Sequence, residues 1–178
     1  MKSNWKQNLL RLGALLAVIG LSVFVYSIRN QAETLAAYGY PGIFVLAFLS
    51  YATVILPAPG VAVVFTMGAL LNPLIVALVA GAGASLGELS GYLVGFSSQG
   101  IAERTSWYNK IENGIKRFGG WAVFLLAAIP NPLFDVAGAV AGSMKMSVWK
   151  FLFFAWLGET TKMIIFAYAG SSLIKFLN

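Results

Sequence analysis

Four ionisable side chains lie in otherwise apolar stretches of the sequence, and they are the groups best placed to do chemistry: Glu88, Asp135, Glu159 and Lys162. A charged side chain at the centre of a bilayer costs at least ~2.5–3.5 kcal/mol on insertion scales, so each is a functional candidate by default. Glu159 and Lys162 are spaced i, i+3 and can pair on one helix face. Such a pair would be either part of a polar path or a purely structural ion pair.

The two other acids have alternative interpretations. Asp135 follows Pro132 by three residues, so it could line a polar path or cap a helix by accepting backbone N–H groups. Asn131 lies between two prolines and could satisfy loose backbone or meet a ligand head group. Glu88 has no basic neighbour in sequence, which favours a functional role or a buried polar network.

Composition requires a membrane environment for these residues. The chain has 178 residues, of which 59% are hydrophobic and 10% charged, with a mean hydropathy of +0.80. Soluble domains carry about 25% charged residues. The sequence contains no Cys and no His, which excludes disulfides, zinc sites of the usual ligand set and Ser-His or Cys-His catalysis. We therefore expect an integral membrane protein that is not an enzyme and has no metal or cofactor.

Two Pro-x-Pro motifs interrupt apolar segments. The flanking arms are too short to cross a bilayer core of about 30 Å, and irregular backbone at that depth must be buried in protein or line a wet cavity. We therefore predict two re-entrant helical hairpins, 42–71 and 121–142. A kinked spanning helix is the alternative at each break. The predicted hairpin tips are Pro57, Pro59 and Gly60 in the first and Pro130 and Pro132 in the second.

The remaining segments complete an all-α membrane fold with about three spanning helices. Residues 1–34 form a basic segment and a first spanning helix at 12–28, and residues 35–178 form the main membrane domain. Within that domain we predict spanning helices at 74–96 and 147–176. The segment 101–117 is amphipathic and predicts an interfacial helix. Its basic face would bind anionic lipid head groups through Arg104, Lys116 and Arg117.

The distribution of Lys and Arg favours opposed hairpins. If both hairpins leave on the side they entered, nine basic residues fall on the side of the N-terminus and two on the other. If both segments span, the two sides carry five and six. The positive-inside rule selects the first arrangement, with a cytoplasmic N-terminus. The net charge of +6 thus reflects topology and anionic lipid rather than nucleic acid.

The two halves of the main domain repeat one pattern. Each has an aromatic-Gly pair, a short arm, Pro-x-Pro, a second arm and a long helix with a Gly-Glu pair, Gly87-Glu88 or Gly158-Glu159. Inverted repeats with paired discontinuous segments are typical of transporters, which bind substrate between them.

One helix of this pattern carries a stripe of small residues, Gly83, Gly87, Gly91 and Gly95. Such a stripe lets another backbone approach closely. It could pack against a hairpin, or it could mediate association with a second copy of the chain.

The order of these motifs resembles the DedA / VTT-domain (SNARE-associated Golgi protein) family over roughly residues 35–172. The resemblance rests on Pro57-Ala58-Pro59-Gly60, Gly87-Glu88 with the following Gly91-Tyr92, Pro130-Asn131-Pro132, and Asp135 with Ala137-Gly138. It implies two opposed re-entrant helices and a role in moving phospholipid or undecaprenyl phosphate across bilayers. The first hairpin has no acid and no arginine precedes Pro130, so the chain is more similar to the broader VTT branch than to bacterial DedA transporters.

The leading functional hypothesis is a lipid translocase or scramblase in a prokaryotic plasma membrane. Glu88, Asp135 and Asn131 would lie along its path, with the polar chemistry concentrated on the second hairpin and Glu88, since the first tip carries no ionisable group. The alternatives are an ion- or proton-coupled transporter of small solutes and a non-transporting membrane scaffold.

Overall fold

The computed structural model describes residues 38–52, 58–97, 106–130 and 133–177, and every regular element in these ranges is an α-helix. The all-helical expectation is confirmed for them. The predicted span at 12–28, most of the two breaks and Arg104 lie outside the described residues. The helices are α1 (Gly39–Ala52), α2 (Ala58–Leu70), α3 (Pro73–Gly87), α4 (Leu89–Ser97), α5 (Ser106–Phe118), α6 (Gly120–Ala128), α7 (Leu133–Ser143) and α8 (Val148–Leu177).

Two of the described helices are long and apolar enough to cross a membrane. They run over Pro73–Ser97, which combines α3 and α4, and over Val148–Leu173 in α8. These agree closely with the spans predicted at 74–96 and 147–176. Their most apolar windows are 50% and 44% buried within the protein, so half of each surface remains to face lipid.

The first long helix begins at a strong local signal and continues through its acid. The Asn72 side chain accepts hydrogen bonds from the backbone N–H groups of Leu74 and Ile75, and Pro73 occupies the first turn, where its missing N–H costs nothing. The Glu88 N–H donates to Ala84 and the Glu88 carbonyl accepts from Tyr92. The backbone therefore stays helical from α3 into α4.

Helix α5 has the predicted amphipathic character from Ser106 onward. Ile111 and Ile115 are buried, whereas Lys116 and Arg117 are exposed in the last turn, where cations interact favourably with the helix dipole. The helix stops at Gly119, whose φ of +59° suits glycine.

The glycine stripe packs within the chain. An ideal Cβ added to Gly87 would lie 2.6 Å from the Phe48 carbonyl oxygen and 2.7 Å from the Ala52 nitrogen, and one at Gly83 would meet Phe44 and Phe48. Residue numbers rise together on both helices, so α1 and α3 run parallel. At these two glycines the stripe packs against α1, an arm of the first predicted hairpin.

The second half uses the same interface. An ideal Cβ on Gly158 would lie 2.6 Å from the Phe124 carbonyl oxygen and 3.1 Å from the Ala128 nitrogen. Gly120 lies beneath the ring of Phe154. Helices α6 and α8 therefore also run parallel.

The two interfaces match at the glycine that precedes each glutamate. Gly87 and Gly158 each touch a carbonyl oxygen and the amide nitrogen four residues later on their partner arm. One turn earlier the interfaces differ, because Gly83 meets the Phe44 carbonyl oxygen whereas Gly120 meets the ring of Phe154.

Each long helix also packs against the second arm of the other half, which is α7 for the first long helix and α2 for α8. Gly142 of α7 touches Tyr92 and Phe96 of α4, and Gly68 of α2 touches Ala167 of α8. Each half is therefore completed by the other.

The two long helices run antiparallel to each other. The Tyr92 and Phe151 rings lie 5.2 Å apart, and Gly81, earlier in the first long helix, packs on Thr160, later in the second. The main apolar cluster lies between α4 and α8 and is closed by α5, α6 and α7. Its fully or nearly buried members are Tyr92, Ile111, Ile115, Ala122, Val123, Ala127, Phe134, Ala137, Val140, Ala141, Phe151 and Ala155.

Candidate functional site

An ion pair between Glu159 and Lys162 is buried near the middle of α8. The Lys162 Nζ donates to Glu159 Oε1 at 2.7 Å, and the two side chains are 8% and 0% exposed. This confirms the pairing predicted from the i, i+3 spacing. Both charges lie away from water, where an unpaired charge would be costly.

The pair lies between the ends of the two arms that precede the Pro-x-Pro breaks. Gly158, just before Glu159, contacts the last turn of α6. The Lys162 ammonium lies 5.2 Å from the centre of the Tyr51 ring, within the range of a cation–π interaction, and Tyr51 is in the last turn of α1. We expected polar chemistry to concentrate on the second hairpin and Glu88. The structure also brings the charge of Lys162, on α8, to the end of the first segment.

The start of α2 returns to the same place. An ideal Cβ on Gly60 would lie 3.3 Å from the Ser50 Cβ and 3.2 Å from Tyr51 Cε2. Ten residues of continuous helix would separate Gly60 from Ser50 by about 15 Å. Gly60, one of the predicted tip residues, is thus beside the residues that face Lys162.

Glu88 occupies the corresponding position in the first half. It is 3% exposed and directly follows Gly87, whose Cβ position is 2.8 Å from the Tyr51 carbonyl carbon. The Glu88 carbonyl lies near Gly138 of α7. The first long helix therefore packs against α1 just before Glu88 and against α7 from Glu88 onward. In the same way, α8 packs against α6 just before Glu159.

The family model for the VTT domain matches residues 56–172, more than half of the chain. The chain belongs to the VTT-domain family. This confirms the resemblance drawn from the order of the motifs. One curated relative, a vacuole membrane protein 1 homolog from Dictyostelium discoideum, is 36% identical over 61 residues, which cover 34% of this chain and 15% of that protein. The chain therefore aligns with only a small part of that relative. No solved structure matches the chain.

The VTT match covers the first long helix, most of α8 and the buried ion pair. The structure describes the other predicted site residues only in part. Asp135 belongs to the first turn of α7, but its side chain and all of Asn131, Pro132 and Pro57 lie outside the described residues. Pro59 is in the first turn of α2, and Pro130 is exposed after α6.

Two of the three predicted head-group residues, Lys116 and Arg117, lie on α5. The Lys116 ammonium is 2.7 Å from Glu112 Oε1, and the Arg117 guanidinium lies 5.2 Å from the centre of the Phe118 ring. Both basic side chains remain exposed, so they are available at the surface.

Two residues near the site were not among the predicted ones. Tyr51 was not singled out, although an aromatic residue at the end of an apolar arm is a usable signal. Thr160 is buried beside Gly81, and its hydroxyl has no hydrogen-bond partner among the described residues. Sequence spacing cannot reveal either contact, because both join helices that are distant in sequence.

The buried pair places an ammonium and a carboxylate together in apolar surroundings on α8. An ammonium and carboxylates in apolar surroundings can bind an ion of either sign if the internal pair opens. Among the described residues, no group of three or more acidic side chains could hold a metal ion.

Proposed function

We propose that this VTT-domain protein moves lipids between the two leaflets of a membrane, as a translocase or scramblase. The observation that carries the proposal is the buried Glu159–Lys162 pair held between two broken apolar segments. A lipid head group can cross the apolar core only where polar groups replace water. Ionisable residues within spanning helices mark such paths.

In this proposal the broken segments are two opposed re-entrant hairpins in an inverted repeat. The contact of Gly60 with Ser50 supports a reversal of the chain in the first. For the second, Gly138 lies near the Glu88 carbonyl and Gly142 near the Phe96 nitrogen, which favours α7 running parallel to α4. Helix α6 runs parallel to α8, and α8 runs antiparallel to α4. Helices α6 and α7 would therefore run in opposite directions.

Two hairpins would shorten the apolar barrier, so that a head group passes along Glu88, Asp135, Asn131 and the ion pair while the acyl chains stay in lipid. With a cytoplasmic N-terminus, helix α5 would face the inner leaflet of a plasma membrane. Its exposed Lys110, Lys116 and Arg117 would then gather anionic head groups, each contributing about 1 kcal/mol near that surface.

The test is reconstitution of the purified chain into liposomes that carry a fluorescent lipid with a leaflet-specific quencher. We expect transfer above the rate of protein-free vesicles, and a lower rate for Glu88→Gln. Thr161→Val is the matched control, because Thr161 is exposed on α8 and its hydroxyl only donates to the Leu157 carbonyl of its own helix. Transfer no faster than in protein-free vesicles, for several head groups, would contradict the proposal.

The burial of Glu88 supports a second candidate, a proton-coupled transporter of small solutes. A carboxyl group that is 3% exposed within a spanning helix is of the kind that proton-coupled carriers use. This candidate predicts substrate-driven proton flux that Glu88→Gln and Asp135→Asn abolish. If no transport is found and both variants are tolerated in any functional assay, a non-transporting scaffold becomes the better description.

A further inference from the structure

We propose that helix α5 and the segment 143–150 form one binding surface for anionic phospholipid, in which Lys145 and Lys150 bind head groups together with the cations of α5. We refer to this surface as the basic platform. It deepens the proposed function, which gives head-group contact to α5 alone, and it rests on that function for the membrane setting. The ligand is the negatively charged head group of a lipid in the adjacent leaflet.

The basic platform lies where the two long helices reach the same side of the membrane. The first long helix ends at Ser97, before α5, and the second begins at Val148. They run antiparallel, and the Tyr92 hydroxyl near the end of the first donates to the Met146 carbonyl just before the second. Residues that adjoin both of these ends therefore lie at the boundary between one leaflet and water.

Contacts at both ends of α5 join it to the segment 143–150. The Tyr108 hydroxyl, in the first turn of α5, is 2.6 Å from the Ser143 hydroxyl. Just after the last turn, an ideal Cβ on Gly119 would lie 3.3 Å from the Lys150 ammonium nitrogen. The segment thus lies alongside about 16 Å of helix, and the basic residues of both belong to one surface.

The basic platform carries an excess of positive charge. Its exposed cations are Lys110, Lys116, Arg117, Lys145 and Lys150. The nearby acid Glu112 pairs with Lys116 at 2.7 Å. In the described part of the chain, no acidic partner occurs for Lys145 or Lys150. Both are therefore exposed charges that a phosphate group of an anionic lipid can reach.

The backbone at Lys145 indicates that its ammonium has a ligand. Its φ is +55°, in the left-handed region that favours glycine. The N–H groups of Lys145 and Met146 donate to the carbonyls of Gly142 and Ala141, a pattern that commonly ends a helix and usually has glycine at this position. A lysine makes such a turn less stable than glycine would. The local backbone therefore does not explain the lysine, whereas a ligand for its charge does.

Exposed aromatic rings favour lipid over a soluble acidic partner. Trp149, next to Lys150, is 81% exposed, and Trp107 is 54% exposed with the Lys110 ammonium 4.8 Å from the centre of its ring. Tryptophan at the level of the head groups, beside Lys and Arg, is the usual composition of a membrane boundary. A leaflet can accept both, since the rings reach the acyl boundary while the ammonium groups stay among phosphates.

The test measures which lipid lies beside Trp149. Of the five tryptophans, Trp149 is kept and the others are changed to phenylalanine. The protein is reconstituted in vesicles of equimolar phosphatidylglycerol and phosphatidylcholine, with bromine on the acyl chains of one lipid or the other. Bromine quenches tryptophan fluorescence, so the two quenching values give the preference for phosphatidylglycerol. We expect such a preference, and we expect Lys145→Gly/Lys150→Gln to lower it at least about fivefold, the change that one cation makes near an anionic surface.

Three controls separate loss of charge from loss of fold. Glycine at position 145 suits the turn, so the midpoint of SDS unfolding should not fall in Lys145→Gly. Lys145→Arg/Lys150→Arg retains both charges and should keep the preference. Asn113→Gln changes an exposed, uncharged residue of α5 and should leave the preference unchanged.

Three outcomes would overturn the proposal. An unchanged preference in Lys145→Gly/Lys150→Gln would show that α5 alone holds the lipid. An equal loss in the arginine variant would show that charge is not the cause. No preference with both lysines present would reject lipid as the occupant, in favour of an acidic soluble partner.

The quenching assay needs no lipid transfer, so it separates this proposal from the proposed function. A preference that depends on Lys145 and Lys150 supports the basic platform even if the protein moves no lipid. Transfer in liposomes without such a preference would reject the basic platform and leave the proposed function in place.

Discussion

Removal of one partner of the Glu159–Lys162 pair should destabilise the protein far more than removal of both. The side chains are 0% and 8% exposed, so the remaining charge would be left almost without solvent. Truncation of one member of a buried pair costs about 3–5 kcal/mol, whereas a well-packed neutral replacement of both is often close to neutral. We therefore expect Lys162→Met to cost about 3–5 kcal/mol, and Glu159→Gln/Lys162→Met to cost less than about 1 kcal/mol.

A double-mutant cycle measures this difference. The four proteins are the unmodified chain, Glu159→Gln, Lys162→Met and the double variant. Their free energies of unfolding are obtained by reversible SDS titration in mixed micelles, followed by circular dichroism. The matched control is Lys116→Gln, which breaks the pair with Glu112 at the same 2.7 Å distance but with the lysine 59% exposed. That variant should change the free energy of unfolding by only about 0.3–0.5 kcal/mol. If Lys162→Met costs as little as the surface variant, the pair is hydrated and the reasoning from burial is wrong.

Three further predictions follow from the packing. Gly158→Ala should lower the free energy of unfolding by about 1–3 kcal/mol, because its Cβ would overlap the backbone of α6, whereas Gly114→Ala has room and should be neutral or stabilising in the same titration. Tyr92→Phe should cost about 0.5–1.5 kcal/mol, since its hydroxyl donates to a main-chain carbonyl just before α8; an unchanged unfolding curve would contradict that bond. Cysteines introduced singly as Ala58→Cys and Asn131→Cys should react with impermeant reagents from opposite sides of the membrane, and labelling of both from one side would exclude opposed hairpins.

Local patterns in the sequence were enough to predict most helix positions. The arms around each Pro-x-Pro appear as α1 and α2 and as α6 and α7, because a proline is tolerated in the first turn of a helix but not in its interior. The i, i+3 spacing predicted the Glu159–Lys162 bond, since the two ends of such a pair are fixed by helix geometry alone. The glycines of the repeated Gly-Glu pairs also make equivalent contacts.

Contacts between distant helices could not be predicted in the same way. The sequence shows no charge near the first break, and only the tertiary structure brings Lys162 over Tyr51. The equivalent contacts of Gly87 with α1 and of Gly158 with α6 are likewise visible only in the tertiary structure.

The sequence by itself determined the membrane class, the breaks, the helices and the identity of the few buried charges, because hydropathy, proline and helical spacing act locally. The tertiary structure decided which break those charges lie beside. That position depends on how α8 packs against α2, α3 and α6, where glycines set the distance of closest approach.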